Sequence, residues 1–456
     1  MKDDNGTAKS VRRLFGTDGV RDIANRGAMT PEFAASLGAA FVKFLKNHGA
    51  SRPRIVVGKD TRRSCSMLEA ALASGMASEG ADVKLLGVFP TPGVSFTAKK
   101  HGFDGGAVIS ASHNPAEYNG IKFLDSGGCK LSDADEDEIA SHIEAGGADR
   151  PTGAGVGVIE PCGDGADYAA WLRKLAAPLR DRGLTLVIDA ANGAAHRIAE
   201  EVFYDWGGHV FIEGNVPDGL NINAGCGVMH IDNMASSVKL LGADIGIAYD
   251  GDADRALLCD SLGRVIDGDV MLWVIGLYLE SQGILGAGVA ATVMSNMVLE
   301  EKLAARGIKT FRCPVGDRYV LEKMKETGAA LGGEQSGHII ASNYTSTGDG
   351  LCTGILFLTA CKKLSLDISS LIDDFPRYPQ ILRNLKISDQ EAVMNSPHVH
   401  KAVENAEKSL EGKGRLLLRP SGTEPLIRIF VESRDERLMH SVCDEIEAAV
   451  SVYAQK

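Results

Sequence analysis

One pattern occurs three times along the 456 residues: an apolar β-rich run, a polar turn, a helical stretch, a glycine and a second β-rich run. It first passes through residues 54–58, the turn 59–62, a helix to Ser78, Gly80 and the run 83–86. It returns through 184–188, the turn 189–193, a helix to Val202, Gly207-Gly208 and 210–212. The third copy takes 289–293, Ser295-Asn296, a helix to Ala305, Gly307 and 309–312. This is the sequence form of a βαβ unit, in which a crossover helix joins two strands of one sheet. Three copies predict three α/β domains with mixed or parallel sheets, against the alternative of one large doubly wound sheet. Beyond residues 373–379 the pattern stops. A run at 415–418, a Gly/Pro loop, a run at 427–432 and an amphipathic helix near 438–452 predict a small α+β domain.

The net charge of −12 argues against a broad nucleic-acid-binding face, while leaving room for a local basic pocket. The first 13 residues lack the apolar core of a signal peptide, and the apolar stretches 270–279 and 354–360 are too short to span a bilayer. Both stretches read as buried helix. Nine cysteines without a C-x-x-C pair fit reduced thiols in a cytoplasm. The expected protein is therefore cytoplasmic, with no nucleic-acid or membrane partner.

Four loops carry chemistry. The first holds Ser110, Ser112 and His113 and is closed by Asn114-Pro115; it follows an apolar run, 106–109, and so sits at the C-terminal end of a strand, where ligands bind in open α/β sheets. Ser112 is the candidate nucleophile, and the plain alternative is an Asx/Pro turn with incidental serines. The second delivers Asp250, Asp252 and Asp254 at alternate positions after the apolar run 243–248. Three hard, like-charged oxygen ligands suit Mg²⁺. An EF-hand is excluded, because Arg255 stands where glycine is needed and Ser261 where the bidentate Glu belongs. Arg255 is placed to neutralise the acids or touch a phosphate. The third loop alternates Glu334, Ser336 and His338, which an extended backbone would point the same way, toward sugar hydroxyls; a plain polar loop reads equally well. The fourth, Arg419, Ser421, Gly422 and Thr423 with Arg428 beyond, combines a backbone anion nest with two arginines. A nucleophile, a metal site, a sugar-reading loop and a phosphate cradle, one per domain, together describe phosphoryl transfer on a phosphosugar.

With those loops in view, the chain resembles the α-D-phosphohexomutase superfamily over essentially its whole length, and within it the bacterial phosphoglucosamine mutases most. All four loops stand in the family's order. The segment from Phe15 to Arg21, Val315-Gly-Asp-Arg-Tyr-Val320 and Gly333-Glu-Gln-Ser-Gly-His338 match the phosphoglucosamine form, and Ala253 stands where many of those enzymes carry Gly. The resemblance implies Ser112 as a phosphoserine completing a Mg²⁺ site with Asp250, Asp252 and Asp254. It places Arg21, Lys122 and His338 around the reacting phosphate beside His113, with Lys122 and His338 as unranked acid/base candidates. Glu334, Ser336 and Arg255 would bind the sugar; Arg419, Ser421, Gly422, Thr423 and Arg428 would bind the other phosphate. The implied reaction converts glucosamine 6-phosphate to glucosamine 1-phosphate through a 1,6-bisphosphate, with glucosamine or glucose 1,6-bisphosphate as activator, and a homodimer is possible.

The expected architecture is α/β: three similar α/β domains with mixed sheets plus a smaller C-terminal α+β domain around a central cleft. Boundaries fall at 1–155 (phosphoserine loop), 156–256 (metal loop), 257–370 (sugar loop) and 371–456 (phosphate loop). Three rivals stand beside this reading. The sister phosphomannomutase/phosphoglucomutase shares the mechanism. A phosphatase with an aspartyl nucleophile is disfavoured by Asp254-Arg255, and a degenerate scaffold by the intact loops.

Overall fold

Parallel strands cannot be joined by a tight turn, so each repeated run must cross over a sheet before pairing with its mate. That is what the chain does. The first repeat folds as strand Arg54–Lys59, helix Cys65–Ser78 and strand Asp82–Val88, the strands running parallel. The second takes Leu186–Asp189, Ala195–Phe203 and Val210–Glu213, and the third Val289–Thr292, Met297–Ala304 and Thr310–Cys313, both again with parallel strands. The structure is a computed structural model that describes residues 14–16, 18–144, 150–204, 206–421 and 425–453.

Each repeat lies in its own sheet. The first has six strands in the order Val20–Ile23, Tyr118–Leu124, Gly105–Ile109, Arg54–Lys59, Asp82–Val88, Ile159–Pro161. Its first two pairings are antiparallel and the rest parallel, so the sheet is mixed. The second has five strands, with the antiparallel hairpin Ala256–Asp260 and Val265–Ile266 added beside Ile245–Tyr249. The third has four and ends in the antiparallel pair Leu331–Gly333 and Ile339–Ala341. The first sheet reaches past residue 155 and the second past residue 256, where the sequence places boundaries. The exposed edge strand Ile159–Pro161 has no buried face to mark it.

Among the described residues the chain divides into two compact units, Met1–Met294 with Arg306–Ile372, and Ser295–Ala305 with Asp373–Lys456. The second unit is an antiparallel three-stranded sheet, Gln380–Lys386, Leu426–Ser433 and Gly414–Pro420, packed on helices Pro397–Leu410 and Glu436–Ser451. The crossover helix of the third repeat belongs to it: Met297 N donates to Glu432 Oε1 at 2.8 Å, and Arg415 Nη2 to Ser295 O at 2.7 Å. The apolar stretches near residues 270 and 354 are the buried helices Gly268–Ser281 and Gly350–Lys363. Among the described residues no helix is long and apolar enough to cross a membrane, and none of the nine cysteines is paired.

One core lies under the first sheet, where Phe41 stacks on Phe123 with centroids 4.1 Å apart. There helix Pro31–Asn47 crosses helix Cys65–Ser78 at Gly38 and Gly75, close enough that a Cβ on Gly75 would stand 2.7 Å from the Ala35 carbonyl carbon. In an open helix Gly→Ala gains about 1 kcal/mol. Here the overpacking penalty of roughly 1–3 kcal/mol is set against that gain, and backbone cannot move aside as a flexible side chain would. Gly75→Ala is therefore expected to lower the unfolding midpoint in thermal or urea denaturation, the reverse of its effect at an exposed helical site.

Candidate active site

The serine loop leaves strand Gly105–Ile109 at its C-terminal end, as expected. Ser112 is buried and takes φ = +50°, a left-handed conformation rare outside glycine. That backbone turn directs its hydroxyl onto Asp250 Oδ2, 2.6 Å away, with His113 Nδ1 at 3.2 Å. Burial, then Arg255 and Arg21, bring the His113 imidazole down to about 4, so it is neutral at neutral pH.

The acidic loop follows strand Ile245–Tyr249, and Ala253 at φ = +59° closes its turn, with Ala253 N donating to Asp250 O at 3.1 Å. Left-handed backbone is what glycine tolerates best, so the side chain of Ala253 is accommodated at a cost. Asp250, Asp252 and Asp254 are all buried and offer oxygens within 4.8 Å of one another. At such spacings each pair of charges repels by on the order of 4 kcal/mol at an effective dielectric near ~20. Burial, with Asp254 and Asp252 adding to it, pushes Asp250 well above the carboxylate range. Asp252 and Asp254 feel the same burial most, but Lys122, joined by Thr91 at Asp252 and by His338 and Arg255 at Asp254, holds both below the usual value. The Oδ1 atoms of Asp252 and Asp254 are buried without a hydrogen-bond partner. Two orphaned hard oxygens beside a third carboxylate are the donor set a divalent cation needs, so the residues present can hold a metal.

Lys122, from strand Tyr118–Leu124, donates to Asp252 Oδ2 at 2.7 Å and approaches Asp254 Oδ2 at 3.4 Å and Asp18 Oδ1 at 3.8 Å. Burial works against its charge, but the acids prevail and its pKa rises. Thr91, at the start of helix Thr91–Lys100, donates to Asp252 Oδ2 at 2.5 Å. His338 lies with Nδ1 3.6 Å from Asp254 Oδ1 and Nε2 3.9 Å from Asp317 Oδ2. Lys130 bridges Asp317 and Asp18, and Asp18 also pairs with Arg21, whose Nη1 reaches Asn114 Oδ1 at 3.5 Å. Arg255 stands 3.9 Å from Asp254 Oδ1 and donates its backbone N–H to Asp250 Oδ1 at 3.1 Å.

Residues 334–338 are not the extended segment expected from their alternation. They form the turn between strands Leu331–Gly333 and Ile339–Ala341, closed by Glu334 N donating to His338 O at 3.0 Å, with Gly337 at φ = +90° reversing the chain. Glu334 accepts from Gly316 N at 3.0 Å and from the Ser336 hydroxyl at 3.4 Å, whereas His338 turns to Asp254. Glu334 and Ser336 therefore share one small site and His338 joins the acidic turn.

In the C-terminal unit Arg419 and Arg428 are directly opposed across antiparallel strands, and burial followed by Arg428 lowers the Arg419 pKa. Like charges so placed destabilise a sheet unless an anion lies between them. Ser421 follows, buried, its N–H bonded to Leu426 O at 2.9 Å. Gly422 and Thr423 lie outside the described residues. Asp60, Arg62, Thr91, Lys130 and Asn223 are contributors outside the quoted motifs, and Asp18 and Asp317 lie inside two of them without having been given a role. Asp60 and Arg62 fall in a segment read as a polar turn, and their position at the C-terminal edge of a strand was the one available signal.

Family comparisons agree with this geometry. The models for phosphoglucomutase/phosphomannomutase alpha/beta/alpha domains I, II and III match residues 12–150, 166–263 and 267–378, and the model for the C-terminal domain matches 382–449. The phosphoglucosamine mutase of Deinococcus radiodurans is 46% identical over 96% of this chain and 98% of its own. A phosphoglucomutase/phosphomannomutase family protein from Burkholderia thailandensis superposes with a TM-score of 0.82 at 25% identity over 97% of both chains. The N-acetylphosphoglucosamine mutase of Aspergillus fumigatus, solved with GlcNAc-6P and magnesium, shares the fold with a TM-score of 0.63 at 16% identity, over 97% of this chain and 96% of its own. With four domain models matched in order and a near-full-length relative at that identity, this chain belongs to the phosphoglucosamine mutase family of phosphohexomutases.

Proposed function

We propose that this chain is a Mg²⁺-dependent mutase interconverting glucosamine 6-phosphate and glucosamine 1-phosphate, with Ser112 as the phosphoryl carrier. The observation that carries the reading is the Ser112 hydroxyl, 2.6 Å from a carboxylate of a buried acidic triad whose other two members each keep an orphaned oxygen. Family membership supports the substrate class and the reaction type.

In this reading phosphoserine 112 gives its phosphoryl group to the free hydroxyl of the hexose phosphate, forming a 1,6-bisphosphate. That intermediate turns over and returns its other phosphoryl group to Ser112. Asp250, Asp252 and Asp254, with a phosphate oxygen on Ser112, would hold Mg²⁺, which supplies neutralising charge to the group in transfer. Lys122 Nζ and His338 Nε2 are the buried nitrogens able to carry the proton exchanged with the sugar hydroxyl. Arg21 and Arg255 bind oxygens of the reacting phosphate and the sugar, and neutral His113 keeps Ser112 Oγ oriented by a hydrogen bond. Glu334 and Ser336 bind the sugar's hydroxyl or amino groups. The Arg419–Arg428 pair, with Ser421, Gly422 and Thr423, takes the phosphate not in transfer. The single cradle serves both orientations because both ends of the bisphosphate carry the same group. Hexose 1,6-bisphosphate is the activator that loads Ser112. The four loops fall one to each domain, with the first domain running on through Ile159–Pro161 and the second through Val265–Ile266, and the enzyme acts as a cytoplasmic protein.

Three outcomes check the reading. Ser112→Ala should cost more than about a thousandfold in isomerisation, measured by ³¹P NMR, with far-UV circular dichroism unchanged; an active Ser112→Ala protein refutes the carrier. Mg²⁺ should raise the unfolding temperature of the parent protein by linkage. Asp252→Asn should abolish that rise and lower turnover at least about 10–100-fold. Supplied in parallel with Mg²⁺ and a trace of hexose 1,6-bisphosphate, glucosamine 6-phosphate should isomerise faster than glucose 1-phosphate or mannose 1-phosphate. The opposite ranking keeps the chemistry and moves the substrate to the sister class.

A further inference from the structure

Both backbone polar groups of Ser112 are tied into one closed circuit. Its N–H donates to Ser110 Oγ at 2.9 Å, and the Ser110 hydroxyl donates to Asp60 Oδ2 at 2.6 Å. Asp60 accepts from Arg62 Nε at 2.9 Å, and Arg62 Nη2 donates to Ser112 O at 2.9 Å. Arg62 Nη2 also reaches Asn114 O at 2.8 Å, while Nη1 donates to Pro115 O and to Tyr118 O at 3.1 Å. The Arg62 and Asp60 side chains are completely buried, so the guanidinium is spent on this loop.

A second side chain repeats the bridge. Asn223, which precedes helix Ile231–Leu241, donates Nδ2 to Ser112 O at 2.9 Å and to Asn114 O at 3.1 Å. It is itself buried and left-handed, with φ = +58°. Gly251 closes the remaining side: a Cβ there would stand 2.6 Å from Ser112 O and 3.1 Å from Asn223 Nδ2. One donor would satisfy each carbonyl. Two donors on each, from separate parts of the chain, do more than satisfy. They over-determine a backbone conformation that its residue disfavours, the circumstance in which strain persists at functional sites.

We propose that Arg62 and Asn223 are positioning residues for phosphoryl transfer: by bridging the carbonyls of Ser112 and Asn114 they hold Ser112 left-handed, with its Oγ on the Asp250 corner of the acidic triad. The inference rests on Ser112 being the phosphoryl carrier. Loading Ser112 forms its Oγ–P bond and breaks a P–O bond of the hexose bisphosphate, and the hydroxyl proton passes to the released sugar oxygen. In-line attack tolerates little displacement of Oγ, so a carrier free to swing reacts slowly.

Two variants isolate the Asn223 contribution in the full-length protein. Asn223→Gly removes the side chain while still tolerating the positive φ, and Asn223→Asp keeps the shape but replaces the donor with an acceptor. Glucose 1,6-bisphosphate with Mg²⁺ is the loading reagent. Phosphate on Ser112 is followed by intact-protein mass, kcat and KM by turnover of glucosamine 1-phosphate, and folding by thermal unfolding. Both variants are expected to load about 10–100-fold more slowly and to lose kcat in proportion, with KM within about twofold of the parent. Parent-like loading and kcat in either variant overturns the proposal, as does a loss confined to KM. Should Asn223→Gly fail to fold, Asn223→Asp decides by the same readings. Should both fail, Arg62→Lys decides: it keeps the charge beside Asp60 but cannot span both carbonyls, and parent-like loading in it overturns the proposal. A parent protein that isomerises without phosphorylating Ser112 removes the carrier and the proposal together, whereas a loaded parent with unaffected variants removes the proposal alone.

Discussion

Three carboxylates buried on one turn repel one another, and the arrangement around them answers that charge. Lys122 reaches two of them from the first sheet, Thr91 gives Asp252 a hydroxyl, and His338 and Arg255 stand beside Asp254. Without these partners the turn would be untenable in a buried setting, since an unpaired interior charge costs several kcal/mol (~) even after relaxation. Even so the compensation is incomplete: two Oδ1 atoms accept no hydrogen bond, and burial still drives Asp250 toward its protonated form. A divalent cation bound there would remove both residual costs together.

That answer is possible because three sheets bring equivalent edges to one place. The serine loop leaves the end of Gly105–Ile109, the acidic turn the end of Ile245–Tyr249, and the Glu334 turn the end of Leu331–Gly333. All three strands run parallel to a neighbour in their sheet, and the carboxyl edge of such strands is where backbone is free to turn toward a ligand. At two of these edges the turn uses left-handed backbone at a residue with a side chain, Ser112 and Ala253. Local strain and buried charge are concentrated together, and the apolar cores beneath offset them.

Much of this is legible in the sequence alone. The three repeats announced themselves through strand, glycine and helix periodicity, and the structure reproduces each with its parallel pair. Ser112 and the three aspartates were readable because their chemistry is local to one motif. The turn at residues 334–338 was one of two equal readings, because alternation of polar residues looks the same in a strand and in a turn until Gly337 is seen at φ = +90°. Arg62, Asn223 and Lys130, and the role of Asp317 within its motif, were illegible for a different reason. Each acts on a residue far away in the chain, and a single sequence carries no record of that proximity. Edge strands such as Ile159–Pro161, exposed and short, offered no pattern to read.

The third crossover helix, Met297–Ala304, belongs with the C-terminal unit although its two flanking strands do not. The chain therefore passes from one unit to the other, back, and across again before it ends. On the ribosome this helix emerges well before Leu426–Ser433, the strand whose Glu432 receives its first N–H, has been synthesised. The C-terminal unit is then no detachable module: cutting the chain near residue 371 would leave a helix behind without the carboxylate that caps it. Its assembly must wait for the last part of translation, whatever the earlier sheets have already accomplished.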